Sequence, residues 1–156
     1  KPETKIILTE PSNARLVSSE IKQERNINGQ PIKSHDSWQS HLIQGWTPDF
    51  IPLILQEAID QNLFHSIIPI SGEEGIIFSK KLAQAEGIFT GISGGSTFAV
   101  AHKIAEKENG SNILVMLPDT GERYLSTMLF DDINEEMNED ELKLMYSTPG
   151  YHTKQS

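Results

Sequence analysis

Short apolar segments alternate along the chain with segments whose apolar residues recur at helical spacing. Four of the apolar segments predict β-strands: Lys5–Thr9, Ser66–Ile70, Ile88–Ile92 and Asn112–Leu117. Strands that alternate with helices are typical of parallel α/β sheets. The pattern therefore predicts an α/β fold with an open, mainly parallel, twisted sheet and helices on both faces.

In the sequence, the first predicted helix precedes the second predicted strand and the second predicted helix follows it. Apolar residues at positions i, i+3, i+4, i+7 and i+8 from Ile51 form one stripe of a helix that begins near Pro52. Ser71 and Glu74 have the spacing of a capping box, in which a hydroxyl and a carboxylate satisfy two free backbone amides at a helix start. Gly87 then ends this second helix, since glycine readily adopts the left-handed conformation of a C-cap.

Two further helices are predicted in the second half of the chain. The third runs from Gly95 to Asn109 and follows a glycine-rich segment. Asn138 and Glu141 repeat the capping-box spacing at the start of a short acidic helix that ends near Tyr146.

Residues 18–41 do not fit the alternation of strands and helices. They are polar, contain the turn signal Asn28-Gly29 and show no sustained period, so a compact domain would carry them as a long surface connection. Such a connection either covers a site or simply joins two elements, and the sequence leaves both interpretations open. Its histidines, His35 and His41, are predicted to be solvated. No domain boundary is marked, so residues 1–156 are expected to form a single domain with a flexible polar tail at 147–156.

The composition excludes several classes of protein. The 156 residues include 22 acidic and 13 basic side chains, for a net charge of −9, and no cysteine. The absence of cysteine excludes disulfides and thiolate metal sites, and the five histidines lack the spacing of a metal motif. Because there is neither a basic patch nor an apolar run of membrane-spanning length, we expect no binding to nucleic acid or membranes. The lack of cysteine fits a reducing compartment, so a cytoplasmic location is expected.

Three segments combine glycine with functional side chains at the junctions between predicted elements. Gly91–Thr97 joins a strand to a helix, where free amides favour an anion, although a tight turn explains it equally well. Pro118–Tyr124 follows a strand at the carboxyl edge, where open α/β sheets place their ligands, although Asp-x-Gly is also common in turns. Gly45–Phe50 joins the long connection to the first helix and could line a pocket, although its two aromatic residues, Trp46 and Phe50, are predicted to pack the connection onto the core.

The segment Leu117–Thr127 is the most specific feature of the sequence. It reads Leu-Pro-Asp-Thr-Gly-Glu-Arg-Tyr-Leu-Ser-Thr and closely resembles the Leu-Pro-Asp-Ser-Gly-Glu-Arg-Tyr-Leu-Ser-Thr signature of cysteine synthase and cystathionine β-synthase. Three other segments agree with this family in the same order: Thr9–Pro11, His41–Gly45 with Phe50–Pro52, and Glu86–Gly95. The resemblance extends from Lys5 to about Phe130.

This resemblance implies a fold-type-II pyridoxal-phosphate enzyme that performs β-replacement, exchanging the acetate of O-acetylserine for sulfide to give cysteine. Thr120 matches the residue whose hydroxyl contacts the ring nitrogen of the cofactor, and Gly45 matches a glycine whose backbone lies beside the cofactor. The Schiff-base lysine and the phosphate-binding loop of the family match nothing here, so no catalytic residue is expected and Gly91–Thr97 becomes a structural wall of the cleft. Trp46–Asp49 replaces a flexible glycine loop with a stiffer segment, because proline fixes its own φ and restricts the residue before it.

The resemblance also implies that the chain is the carboxyl-terminal part of a longer enzyme, in agreement with a start at Lys1 that lacks a methionine. These residues alone are then expected neither to retain pyridoxal phosphate nor to turn over substrate. The implied partners of the whole enzyme are a small amino-acid substrate, a second copy in a homodimer and the carboxyl-terminal tail of serine acetyltransferase. Two alternatives stay open: a cystathionine β-synthase-like enzyme, and a non-catalytic module that binds a partner.

Overall fold

The chain forms a mixed α/β structure in a computed structural model that describes residues 3–147. Its elements are, in chain order, strand β1 (Ile7–Pro11), helix α1 (Leu53–Asp60), strand β2 (Ser66–Ile70), helix α2 (Gly72–Glu86), helix α3 (Ile92–Ala105), a 3₁₀ helix (Gly121–Tyr124) and helix α4 (Glu139–Ser147). The predicted α/β class is confirmed. The predicted tail at 147–156 lies, apart from its first residue, outside the described residues. No helix within residues 3–147 is both long and apolar enough to cross a bilayer.

The sheet formed by the described residues has two parallel strands. Ile7 pairs with Ser66 at one end and Pro11 pairs with Ile70 at the other. β2 has its predicted bounds, whereas β1 begins two residues later than the predicted Lys5. The crossover between the strands contains α1 and the long connection, as a parallel pair requires.

Two predicted strands, Ile88–Ile92 and Asn112–Leu117, are wrong. Thr90 makes a single antiparallel bridge with Thr120, and residues 111–118 have no regular secondary structure. An apolar segment becomes a strand only when another strand accepts its backbone hydrogen bonds, and no segment within residues 3–147 does so for these two.

The capping box of α4 is confirmed in full and that of α2 in its hydroxyl half, since the Glu74 carboxylate pairs with Lys103 instead of capping the helix. The Ser71 hydroxyl accepts a hydrogen bond of 3.1 Å from the Glu74 amide, and Gly87 adopts a φ of 68° at the C-cap of α2. At α4, the Asn138 side chain accepts from the Glu141 amide at 3.0 Å, while the Glu141 carboxylate accepts from the Asn138 amide at 2.8 Å. Both helices therefore begin where local side chains satisfy their free amides.

Helix α3 begins at Ile92, three residues before the predicted start at Gly95, and ends at Ala105 instead of Asn109. The glycines of this segment consequently lie inside the first turns of the helix. A Cβ on Gly95 would clash with the carbonyl oxygen of Gly75 on α2, so glycine here lets the two helices approach closely. The glycine-rich segment serves helix packing, which replaces the interpretation of an anion-binding turn.

The core consists of two clusters of buried side chains. The larger joins β2, α3 and the 3₁₀ helix, and comprises Ile43, Ile70, Ile92, Ala99, Val100, Tyr124 and Leu129. The smaller lies against α1 and comprises Ala14, Leu16 and Ile51. Because Ile43 and Tyr124 belong to the same cluster, one core anchors both segments that the sequence predicts to bind a cofactor.

Candidate functional site

A cleft of about 610 Å³ lies where the long connection, α3 and the segment that follows residue 117 meet. Its lining residues are Gln44, Gly45, Trp46, Ser93, Thr97, Met116, Pro118, Asp119, Arg123 and Tyr124. The three segments with candidate chemistry, Gly45–Phe50, Gly91–Thr97 and Pro118–Tyr124, each contribute to this wall. The fold thus brings into one place residues that are far apart in the sequence.

The segment Pro118–Tyr124 is held against the residues that precede α3. The Gly121 amide donates to the Phe89 carbonyl at 3.1 Å, and the Thr90 hydroxyl donates to the Asp119 carbonyl at 3.1 Å. These bonds flank the isolated Thr90–Thr120 bridge. The start of the 3₁₀ helix is therefore fixed to the wall of the cleft by its backbone, independently of any side chain that faces the cavity.

Asp119 and Tyr124 form a hydrogen-bonded pair in the wall of the cleft. The phenol donates to Asp119 Oδ2, while Asp119 Oδ1 is buried without a hydrogen-bond partner among the described residues. Burial, and then the bond to Asp119, raises the pKa of Tyr124 above its usual value. The pair places a carboxylate oxygen with unused acceptor capacity beside a phenol that stays protonated at neutral pH.

Thr120 is exposed and is not one of the residues that line the cleft. It immediately precedes the 3₁₀ helix, between Asp119, which does line the cleft, and Gly121. Its side chain bonds to the Glu122 carboxylate, and this bond is the main reason why the pKa of Glu122 lies below its usual value. The structure thus places Thr120 at the edge of the cleft, with its hydroxyl engaged by its own 3₁₀ helix.

Gly45 lines the cleft in a left-handed backbone conformation, with a φ of 84°. Apart from Gly45 itself and its two neighbours in the chain, no residue comes within 4 Å of the position that a Cβ would occupy. Glycine is favoured here by its backbone conformation and not by crowding, and the space beside it is open.

The chain is similar in sequence and in structure to several known proteins. No protein-family model matches it. It is 38% identical over 136 residues to the O-ureido-L-serine synthase of Streptomyces lavendulae. The aligned region covers 86% of this chain and 36% of that protein. It is 48% identical over 93 residues to the cysteine synthase of Buchnera aphidicola subsp. Schizaphis graminum. This aligned region covers 58% of this chain and 27% of that protein. The crystal structure of O-ureido-L-serine synthase matches with a TM-score of 0.69 and 37% identity, over 92% of this chain and 39% of that one.

The chain is homologous to the cysteine synthase family of fold-type-II pyridoxal-phosphate enzymes. The resemblance inferred from Leu117–Thr127 is thereby confirmed, and the match falls on the carboxyl-terminal part of the relatives. The chain spans 36% and 27% of the lengths of the two curated relatives named above. An O-acetylserine-dependent cystathionine β-synthase from Helicobacter pylori is also similar, with a TM-score of 0.59 and 30% identity over 83% of this chain and 36% of that one.

The segment Trp46–Asp49, where the sequence departs from the cysteine synthase pattern, reaches the cleft through Trp46 alone. Trp46 lines both the cleft and a second, mostly apolar cavity of about 320 Å³. The indole also packs against the larger core cluster, as predicted. The second cavity is otherwise lined by Leu8, Thr9, Glu10, Leu16, Val17, Gly45, Thr47, Pro48, Phe50, Ile51, Pro52 and Leu55. One short segment, Gly45-Trp46, is therefore a wall of two cavities.

The histidines of the long connection are not solvated, which corrects the expectation from sequence. His35 is 4% exposed; its Nε2 lies 3.0 Å from the Ile21 carbonyl oxygen, and its Nδ1 accepts from the Ser37 amide. His41 is half-buried, with Nε2 at 3.1 Å from the Thr47 carbonyl oxygen. The connection folds onto itself and onto the segment that follows Trp46. In the sequence, this folding was indicated only by the aromatic rings that occur within an otherwise polar segment.

The described part of the cleft offers hydrogen-bonding groups rather than a metal site or a lysine. No lysine is among the residues that line it. Within residues 3–147, no three His, Cys, Asp or Glu side chains are grouped so as to hold a metal ion. Besides the Tyr124 phenol, the lining supplies the hydroxyls of Ser93 and Thr97 and the side-chain amide of Gln44. It also supplies the carboxylate of Asp119 and the guanidinium of Arg123. Such a set can orient a polar organic ligand.

Proposed function

We propose that this chain supplies the ring-nitrogen side of a pyridoxal-phosphate site in an enzyme of the cysteine synthase family that makes cysteine from O-acetylserine and sulfide. The observation that carries the proposal is the meeting of Gly45 with Pro118–Tyr124 at one cleft, because these segments also carry the sequence resemblance. The names of the relatives, cysteine synthase and O-ureido-L-serine synthase, support an amino-acid substrate or product.

The residues at the cleft fit a pyridine ring that carries polar groups. Gly45 leaves open space beside its Cα, and Thr120 has an exposed neutral hydroxyl at the cleft edge. We assign the Thr120 hydroxyl to the ring nitrogen, which would require it to give up its bond to Glu122, and the Gly45 backbone would lie beside the cofactor. A neutral hydroxyl orients the nitrogen without strongly protonating it, which suits elimination better than transamination. When bound, pyridoxal phosphate supplies the electron sink that weakens bonds at the Cα of the amino acid.

We further propose that the lysine that binds the cofactor covalently is not among the described residues, because no lysine lines the cleft. The isolated 156-residue chain would then neither retain the cofactor nor turn over substrate. The whole enzyme would act in the cytoplasm as a homodimer, and its cleft would accept the carboxyl-terminal tail of serine acetyltransferase as well as the amino-acid substrate.

Formation of O-ureido-L-serine is a second candidate reaction. It is favoured by the greater extent of the match to O-ureido-L-serine synthase, 86% of this chain against 58% for the cysteine synthase, and by the bulky Trp46 side chain in the wall of the cleft. A bulkier wall changes which groups fit beside the amino acid, because specificity depends on the contacts of the pocket.

A product assay with the pyridoxal-phosphate-loaded enzyme that contains this chain tests the proposal. O-acetyl-L-serine is supplied with sulfide, with homocysteine or with hydroxyurea, and cysteine, cystathionine, O-ureido-L-serine and acetate are quantified. The proposal predicts cysteine with sulfide. Cystathionine in its place would indicate the cystathionine β-synthase-like alternative, and the absence of every β-replacement product would indicate the non-catalytic module.

A further inference from the structure

One backbone carbonyl ties the cleft wall to the long connection. The Thr47 carbonyl oxygen accepts a hydrogen bond of 3.1 Å from the Trp38 indole N–H, and His41 Nε2 lies 3.1 Å from the same oxygen. Since a carbonyl oxygen only accepts, the second contact requires the tautomer of His41 that carries its proton on Nε2. Two aromatic rings of the connection therefore donate to a single peptide group of the wall.

Thr47 itself has an unusual backbone conformation. Its φ of 39° lies in the left-handed region, which a β-branched residue rarely adopts. Such a conformation persists only where the surroundings hold it in place. The two donors act on the carbonyl of this very residue, and Pro48 limits the freedom of the chain immediately after it.

A second attachment lies two residues further along the chain. The Asp49 carbonyl accepts from the His35 amide at 2.6 Å, and the Asp49 carboxylate accepts from the Ser34 hydroxyl. His35 is buried, so this attachment point is itself anchored. Both ends of the segment Thr47–Asp49 are thus bound to residues 34–41.

We propose that Trp38 and His41 are positioning residues, which hold the Thr47 peptide and thereby set where Gly45 and Trp46 stand in the cleft. Gly45 and Trp46 line the cleft directly, whereas Trp38 and His41 do not, so they act through the wall. The consequence for substrate affinity rests on the proposed function. The positioning itself does not, and it is measurable in the chain alone.

The first test uses ¹⁵N relaxation of the 156-residue chain. Trp38→Phe removes the indole N–H but keeps a ring, His41→Ala removes the second donor, and His41→Gln offers an amide to the same carbonyl. His65→Ala is the matched control, because His65 is exposed and does not line the cleft. We expect order parameters of residues 45–50 to fall from about 0.85 to below about 0.6 in the first two variants, to recover in His41→Gln and to stay unchanged in the control. Rigid residues 45–50 in both donor-deleted variants, or equal loosening of α2 and α3, would overturn the inference.

The second test uses the pyridoxal-phosphate-loaded enzyme that contains this chain. Trp38→Phe and His41→Ala are expected to raise KM for O-acetyl-L-serine by about tenfold and to change kcat by less than about threefold, because they move a binding wall and no reacting group. An unchanged KM despite a mobile wall would overturn the inference. Absence of β-replacement in the unsubstituted enzyme would count against the proposed function instead, and the relaxation result would then decide the positioning role.

Discussion

Tyr124 links the stability of the chain to the geometry of the cleft, because its phenol donates to Asp119 in the wall. The pKa of Tyr124 is raised, so the folded state favours the protonated phenol. The stability that this gives is fully present below the usual tyrosine pKa of about 10, and it is lost as the pH rises through the higher value of the folded state.

Replacing this phenol is therefore expected to change the alkaline stability of the chain. Tyr124→Phe removes the donor to Oδ2 of the partly buried Asp119 carboxylate, which should lower the free energy of unfolding near neutral pH by about 1 to 3 kcal/mol. It should also flatten the loss of stability above a pH of about 10, since the titrating group is gone. Urea denaturation at a series of pH values measures both effects; an equally steep alkaline loss in Tyr124→Phe would show that another group is responsible.

Residue-level chemistry was only partly visible in the sequence. The signature around Thr120 and the family match at Gly45 singled out two positions at the edge and in the wall of the cleft. The bond from Thr120 to Glu122 and the burial of His35 were not visible, because each depends on the three-dimensional path of a loop. Histidine in a polar segment is compatible with either environment.

At the level of elements, α2 is a rigid support of the cleft because it packs closely on α3, which carries Ser93 and Thr97. Ser71→Ala removes the side-chain acceptor at the N-cap of α2 and should lower the free energy of unfolding by about 1 kcal/mol. Asn138→Ala is the matched control at the N-cap of α4, a helix with no buried residue. The control should fray α4 without shifting the main unfolding transition. Equal losses in the two variants, measured by chemical denaturation, would contradict this ranking.

Helix starts that depend on side-chain caps a few residues away were predicted well. Strands that depend on backbone pairing with a segment far away in the sequence were not. The caps of α2 and α4 involve residues three positions apart, so the sequence alone identifies them. The predicted strand Asn112–Leu117 would bury Leu114, yet this side chain is fully exposed, at 100%. Strand formation depends on a partner elsewhere in the fold, which an apolar run does not specify.

At the level of the whole molecule, the cleft is assembled from three separate stretches of chain that share one core. The sequence marked each stretch as a place for chemistry, but their meeting follows from the packing of Ile43 and Tyr124 into the same cluster. The long connection, for which the sequence left two interpretations open, contributes to the site through Trp38 and His41. Residues 18–41 line neither of the two cavities described above, and they hold the segment that begins with Gly45 and Trp46, which lines both.

The central claim is that Thr120 contacts the ring nitrogen of the cofactor. Its most direct test compares Thr120→Ala, Thr120→Ser and Glu122→Gln in the pyridoxal-phosphate-loaded enzyme that contains this chain. Glu122→Gln is the control, since it alters the present partner of the Thr120 side chain and leaves the hydroxyl in place. We predict that Thr120→Ala shifts the absorbance spectrum of the bound cofactor and lowers kcat/KM for β-replacement by at least about tenfold, while the other two variants keep both close to their original values. A Thr120→Ala enzyme with the original spectrum and the original rate would contradict the claim.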